Sequence, residues 1–266
     1  RQIWLMLEPD AHISAGEYAA SVTVNGLLQS DNATQVASLN LKGTLRVSPI
    51  ELMEQDAVSV GGWEYANLTR YAVTEDNRDA MIDLLDSRHV DIATANGSVM
   101  PIMANPTDFS AFDEWLNRWR DVARTTPRKL RVSFGVGPSM DGYAMGTAGF
   151  NEAVASWITA YAAHFREVGI DPRNVGLIMV DEPSPDRMVN GVLLSDIAVG
   201  WGKAIRAANT GVELVETMAH ADPEEMAIPG DDNDIFEVVD TFIIHRAGTF
   251  LGDEDFSDFY RDLRDN

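Results

Sequence analysis

The stretch Val175-Gly176-Leu177-Ile178-Met179-Val180-Asp181-Glu182-Pro183 places two carboxylates directly behind an unbroken apolar run. Such a run is a strand buried on both faces. Pro183 removes a ladder donor and biases Glu182 toward extended geometry, so the strand ends there. In α/β folds the chemistry sits at the C-terminal ends of strands. Two acids at that edge suit acid/base work, with burial and mutual repulsion expected to raise one pKa and leave the other acid ionised. Spacing restricts the mechanism. Glycosidases with a protein nucleophile hold their carboxyls about 5–5.5 Å apart across the sugar, and inverting ones about 6.5–9.5 Å. Sequence neighbours are better placed to act from one side on adjacent substrate atoms. In substrate-assisted hydrolysis one acid protonates the leaving oxygen while the other holds a 2-acetamido group that attacks the anomeric carbon. The competing structural reading is an Asp-Glu pair that caps the next helix or pairs with an Arg. Strand alternation would send the two side chains to opposite faces, so a shared site needs a twist or bulge at the strand end.

The elements that must position this pair follow from periodicity. The first fifty residues read as β structure. Tyr18, Ala20, Val22 and Val24 alternate with Ser21, Thr23 and Asn25, and Leu39, Leu41, Leu45 and Val47 alternate with Ser38, Asn40, Thr44 and Arg46. Hairpin strands of this kind are expected to be the end of an antiparallel β-sandwich over residues 1–52. After Pro49 strands alternate with helices. Strands are expected near Ser59–Tyr65, Val90–Ala95, Leu130–Val136, Val175–Val180, Val212–Met218 and Val239–His245. Helical stripes run through Asp108–Ala123, Phe150–Val168 and Val192–Ala208, with Gly169 as a stop after the second. Thr74 is placed to cap a helix over Glu75–Ser87. Strand–helix alternation means parallel strands with helices outside. Residues 53–266 accommodate about six βα units, whereas a closed barrel has eight. The expectation is a TIM-type (β/α)8 barrel that is incomplete, with a doubly wound sheet as the alternative.

These residues carry a resemblance. The Val180-Asp181-Glu182-Pro183 strand end, preceded by a Trp-containing helix and Glu167-Val168-Gly169-Ile170-Asp171-Pro172, resembles the catalytic domain of glycoside hydrolase family 123. Pro9-Asp10-Ala11, Ala15-Gly16-Glu17-Tyr18 and Val22-Thr23-Val24 are similar to the end of the β-sandwich that precedes that barrel. His89-Val90-Asp91 and Asp108-Phe109-Ser110-Ala111-Phe112-Asp113 continue the likeness. The resemblance implies a β-N-acetylgalactosaminidase-like hydrolase with a retaining, substrate-assisted mechanism. Asp181 would stabilise the acetamido group, and Glu182 would be general acid and then base. It implies a glycan or glycoconjugate substrate, an extracellular or periplasmic setting, and no metal or cofactor. Measured against that family, the sandwich lacks its first part and the barrel its last two units, which suggests a fragment.

Other residues are candidates for substrate contact. Trp63 and Tyr65, at the end of the first strand, could stack on a sugar face or pack in the core. Asn96 could bond a hydroxyl or serve a turn. Glu216, His220 and His245 lie at or after strands five and six and could also reach substrate. Glu213 or Glu216 could supply a separate carboxylate in a protein-nucleophile mechanism on sugars lacking the acetamido group. A sugar-binding protein without turnover is the remaining alternative. The glycine-rich loop from Gly135 to Gly149 does not make a dinucleotide fingerprint, because its spacing and Pro138 are wrong. It could form a lid or be a plain insertion. The acidic cluster Asp231-Asp232-Asn233-Asp234 lacks the calcium-loop pattern.

Composition excludes several classes. With no Cys among 266 residues there is no disulfide framework, thiolate metal site or cysteine nucleophile. A formal charge of −22, with 20 basic against 42 acidic residues, argues against nucleic acid and against anionic membranes as partners. Only 3 of the 20 basic residues are Lys. That balance fits adaptation to high salt, or else acidic drift in a GC-rich genome. No apolar run approaches the ~18 residues of a membrane span.

Overall fold

A computed structural model describes residues 13–30, 33–49, 59–69, 72–123, 127–183, 187–218 and 235–244, together with Ser257 and Arg261. The chain divides into two compact units, Arg1–Ala57 and Val58–Asn266.

In the first unit, β1 (Gly16–Ser30) and β2 (Ala33–Val47) form one antiparallel ribbon. Register pairs Tyr18 with Leu45, Val22 with Leu41 and Val24 with Leu39, so one face is apolar, as the alternation requires. Tyr18, Ala20, Val22 and Val24 are half-buried, while Leu39 and Leu41 remain 59% and 46% exposed. The described residues of this unit make a two-stranded sheet.

The second unit holds a parallel sheet of five strands among the described residues, its spatial neighbours following one another along the chain. Its strands are β3 (Ile92–Asn96), β4 (Lys129–Ser133), β7 (Val175–Ile178), β10 (Glu213–Met218) and β11 (Thr241–Ile244). A doubly wound sheet reverses its strand order, and this one does not. The expected first strand near Ser59–Tyr65 is reduced to a single parallel bridge from Gly61 to Ile92 at the β3 edge. A Cβ on Gly61 would stand 2.7 Å from the Ile92 Cβ, so only glycine allows this approach.

The helices are α1 (Arg78–Ser87), α2 (Ser110–Val122), α3 (Ala148–Glu167) and α4 (Leu194–Ala207). Thr147 caps α3, its hydroxyl accepting from the Phe150 amide at 3.3 Å, and Gly169 ends it at φ +79°. The expected Thr74 cap is not formed. Asn77 Oδ1 accepts from the Thr74 amide at 2.7 Å and Asn77 Nδ2 donates to the Ala72 carbonyl at 2.9 Å, so these bonds build a turn and the helix starts later, at Arg78. The helical stripes pack on one sheet face. Ala93, Ala95, Leu130, Val132, Leu177 and Leu214 share a core with Phe112, Trp119, Phe150, Trp157, Phe165 and Trp201. Trp157 lies edge-on to Phe134 and Trp201, with centroids at 5.6 and 6.3 Å. The indole N–H groups of Trp157 and Trp201 donate to the carbonyls of Pro101 (3.2 Å) and Gly137 (2.9 Å), which secures the loops behind β3 and β4. Two short hairpins, Ser139–Met140 (β5) with Tyr143–Ala144 (β6) and Met188–Val189 (β8) with Val192–Leu193 (β9), follow β4 and β7.

Candidate active site

Strand β7 is buried over its whole length, and burial continues through Met179 and Val180. Asp181 is exposed and Glu182 half-buried, so the carboxyls begin where the core ends. Glu182 has φ +49°, the left-handed region, which breaks strand alternation at this residue. A non-glycine residue there costs about 1–2 kcal/mol. Thr217 on neighbouring β10 holds the turn. Its hydroxyl accepts from the Glu182 amide at 2.7 Å and donates to Asp181 Oδ1 at 3.2 Å. One buried side chain thus ties both acids to the sheet. Thr217 follows Glu216 in an ordinary strand, and its partners lie 35 and 36 residues away, so nothing local in the sequence marks it.

Glu216 does not open to a substrate. It is 2% exposed, and its Oε2 has no hydrogen-bond partner. Burial pushes its carboxyl well above the usual range, the backbone amides of Val180 and Met179 pull it partly back, and the nearby charge of Asp181 pushes it up again. Register pairs between β7 and β10 run from Glu213–Gly176 to Leu214–Leu177, so Glu216 faces amides beyond those pairs. The surrounding strands leave Glu216 almost no access to solvent.

Glu213 is spoken for at the other end of β10. It accepts from Lys129 Nζ at 3.2 Å and from the Thr241 hydroxyl at 2.5 Å. It shares a register row and a face with Thr94, Arg131 and Gly176. Glu64 joins the same interior group, accepting from the Thr94 amide while Thr94 Oγ1 donates to the Gly62 carbonyl at 2.7 Å. Burial pushes the Glu64 carboxyl up to about 7, against the opposing pull of the Thr94 hydrogen bonds and the Arg131 guanidinium. Sequence reading did not single out Glu64. Its signal was its place inside Trp63-Glu64-Tyr65, where the aromatics drew the reading instead.

The remaining candidates separate. Tyr65 is 8% exposed, with φ +43°, and its ring centre lies 6.1 Å from that of half-buried Trp63. Of the two rings, that of Trp63 is the more accessible. Asn96 serves a turn: its Oδ1 accepts from the Ser98 amide at 3.1 Å, and its own amide donates to Asn67 Oδ1 at 3.0 Å. A hydroxyl-binding role for Asn96 loses that oxygen to the backbone. His220 and His245 lie outside the described residues, as does the 231–234 cluster. Among the described residues no group of His, Asp and Glu could hold a metal ion, and no helix is long and apolar enough to cross a membrane. A cavity of about 380 Å³ opens at the opposite end of the strands, around Arg173, Arg206, Glu213 and Asp240. Its arginines are engaged, Arg173 with Asp171 at 2.6 Å and Arg206 with Asp240 at 2.8 Å, and it is remote from the strand ends that carry the acids.

No protein-family model matches the chain, and no curated protein matches it. Solved structures to which it is similar are glycoside hydrolases. A family 39 glycoside hydrolase from the gut symbiont Bacteroides cellulosilyticus WH2 is 15% identical with a TM-score of 0.44, over 87% of this chain and 45% of that one. An endo-laminarinase from Formosa Hel1_33_131 is 10% identical with a TM-score of 0.42, over 70% and 49%. A GH5-4 broad specificity endoglucanase from an uncultured bovine rumen ciliate is 10% identical with a TM-score of 0.37, over 71% and 56%. The chain spans about half the length of these structures.

Proposed function

We propose that this chain carries the acid pair of a glycoside hydrolase acting on β-linked N-acetylhexosamine, with N-acetylgalactosamine as the preferred sugar, on a barrel-type sheet. The observation that carries this reading is the Thr217 clamp on Asp181 and Glu182 at the C-terminal end of a buried strand. The left-handed turn at Glu182 supports it, since strain of this kind persists where surrounding contacts over-determine it, often at reactive sites.

In this reading Glu182 gives its proton to the glycosidic oxygen as the bond from C1 to that oxygen breaks. The carbonyl oxygen of the substrate's 2-acetamido group forms the new bond to C1. Asp181 accepts the acetamido N–H and stabilises the positive charge that develops on the cyclised group. Water then attacks C1, Glu182 takes its proton, and the acetamido group is released with net retention. A protein nucleophile is disfavoured by what became of the two separate carboxylates. Glu213 is bound to Lys129 and Thr241, and Glu216 is sealed in a site that favours its protonated form. The substrate's own oxygen fills that role.

Hydrolysis of an aryl β-N-acetylgalactosaminide beside the matching galactoside tests the proposal. Turnover of the acetamido sugar alone is expected. Equal cleavage of both sugars would return the mechanism to a protein nucleophile, and no turnover from a cooperatively folded chain would sink the enzymatic reading.

A further inference from the structure

Strand β7 is held differently on its two sides as it runs into the acid pair. On the β4 side the main chain carries on past the strand. The Phe134 amide donates to the Ile178 carbonyl at 2.7 Å and the Val136 amide to the Met179 carbonyl at 3.2 Å. On the β10 side the register pairs stop at Leu177–Leu214. Beyond them the Glu216 carboxyl accepts from the Met179 and Val180 amides. The Thr217 hydroxyl then accepts from the Glu182 amide at 2.7 Å. Side chains of β10 thus take over where its main chain lets go. Alternation puts these two neighbours on opposite faces of the strand. Glu216 shares the face of Leu214, which stands against α4 at Gly202, and Thr217 shares that of Glu213. The last residues of β7 are gripped from both faces.

A carboxyl is a demanding choice for this task. Glu216 is 2% exposed, and its Oε2 has no hydrogen-bond partner. An apolar side chain would fill the same space without burying that oxygen. It would also leave the two amides without an acceptor. Met179 and Val180 are themselves buried, so water cannot replace one. Among the main-chain bonds of the described loops and turns, neither amide donates to a carbonyl. What the carboxyl gains is therefore control of the two residues that lead directly into Asp181. Asp181 is also the charged group that acts on Glu216, and burial favours the neutral form of Glu216. A neutral acceptor puts no second negative charge beside Asp181, which the proposed mechanism needs ionised.

We infer that Glu216 is a positioning residue for the acid pair: through the Met179 and Val180 amides it fixes the point at which β7 leaves the sheet, and with it the placement of Asp181 and Glu182. It touches no substrate. Its effect on turnover rests on the glycosidase reading. Its effect on the strand end does not, and the two are measured separately.

Two variants of the full-length chain separate the acceptor from the bulk of the side chain. Glu216→Met is close in size and accepts from neither amide, whereas Glu216→Gln keeps a carbonyl oxygen for both. In ¹⁵N-labelled chain the Met179 and Val180 amide protons should move upfield in Glu216→Met, and the Asp181 and Glu182 amides should shift with them. In Glu216→Gln all four should stay near their wild-type positions. With an aryl β-N-acetylgalactosaminide, Glu216→Met should lose roughly tenfold in kcat with KM little changed, and Glu216→Gln should recover most of that loss. Equal rates per folded molecule in the two variants would mean a side chain that only fills space, and would overturn the inference. So would Asp181 and Glu182 amides that do not respond to Glu216→Met. An inactive wild-type chain would count against the glycosidase reading, and the four resonances would then decide the role of Glu216. If Glu216→Met does not fold, Glu216→Gln decides alone: its side-chain amide protons should show Overhauser contacts to the Met179 and Val180 amides, and their absence overturns the placement.

Discussion

The sheet sorts four carboxyls into two environments. Asp181 and Glu182 stand just past the end of β7, exposed and half-buried, and are held by a neutral hydroxyl. Glu64 and Glu216 stand inside, each with one buried oxygen that has no partner, and burial raises both. The same functional group therefore has opposite duties. At the edge it can exchange a proton with a ligand, and inside burial favours its protonated form and makes stability depend on pH. A carboxyl's position along the strand, a matter of two or three residues, decides which.

The sharpest way to break this division is Glu182→Gln. The edge reading predicts a fall in turnover of an N-acetylgalactosaminide of about a thousandfold, within the range for losing a general acid. Stability should change far less than turnover, since the residue stands past the end of the buried strand and not in the core. Kinetics and urea denaturation on the same preparation check both halves. A variant that unfolds easily while its surviving molecules turn over normally would place Glu182 with the interior group.

The interior group makes the complementary prediction. Glu64 titrates near 7 in the fold and near 4.5 in the unfolded chain. The folded chain therefore binds its proton more tightly between those values. The resulting stability is fully present below about pH 4.5 and is lost as pH rises through about 7. A shift of this size corresponds to about 3 kcal/mol. Glu64→Gln should flatten that part of the profile by a comparable amount, measured as the difference in unfolding free energy between pH 4.5 and 8. Activity per folded molecule should hardly change. Glu216 is raised as well, so its contribution runs in the same direction.

The contrast also shows what was readable from residues alone. The apolar run into Asp181-Glu182 announced a buried strand with acids at its end, because period and composition are local. The stripes of α2, α3 and α4 were equally plain, through Trp115, Trp119, Trp157 and Trp201. The ribbon β1–β2 was legible in its alternation but not in its surroundings. Tyr18, Val22 and Val24 specify an apolar face, yet alternation names no partner for it, and Leu39 and Leu41 remain exposed. The start of α1 was missed because the Asn77 side chain bonds back to the Thr74 amide and the Ala72 carbonyl and holds a turn there. Thr217 and Glu64 were unreadable for a different reason. Their roles arise from strands about 30 or more residues apart meeting in register, which no local pattern carries.

Thr217 can be used to sharpen the comparison, since it is the buried residue that serves the edge. Thr217→Val keeps the volume and removes the hydroxyl, so the Glu182 amide and Asp181 Oδ1 both lose their partner. Stability should fall by about 1–2 kcal/mol, and turnover by about tenfold through a misplaced acid pair. Thr217→Ser should restore most of the rate. Rescue by Ser separates loss of the hydrogen bonds from loss of packing.

The smallest effect belongs to Trp63. Its ring is half-buried beside Tyr65, which is almost fully enclosed. If the exposed edge of Trp63 meets a sugar face, Trp63→Ala removes a contact worth about 0.5–1.5 kcal/mol, a rise of about two- to tenfold in KM with kcat little changed. Tyr65→Ala should act oppositely, destabilising the fold by about 3–5 kcal/mol as large aromatic deletions in cores do. Its effect on KM per folded molecule should be slight. The two rings sit 6.1 Å apart, so the pair repeats for aromatics the division drawn for carboxyls. If both variants change stability and neither changes KM, Trp63 belongs to the core with Tyr65, and this segment offers substrate no aromatic face.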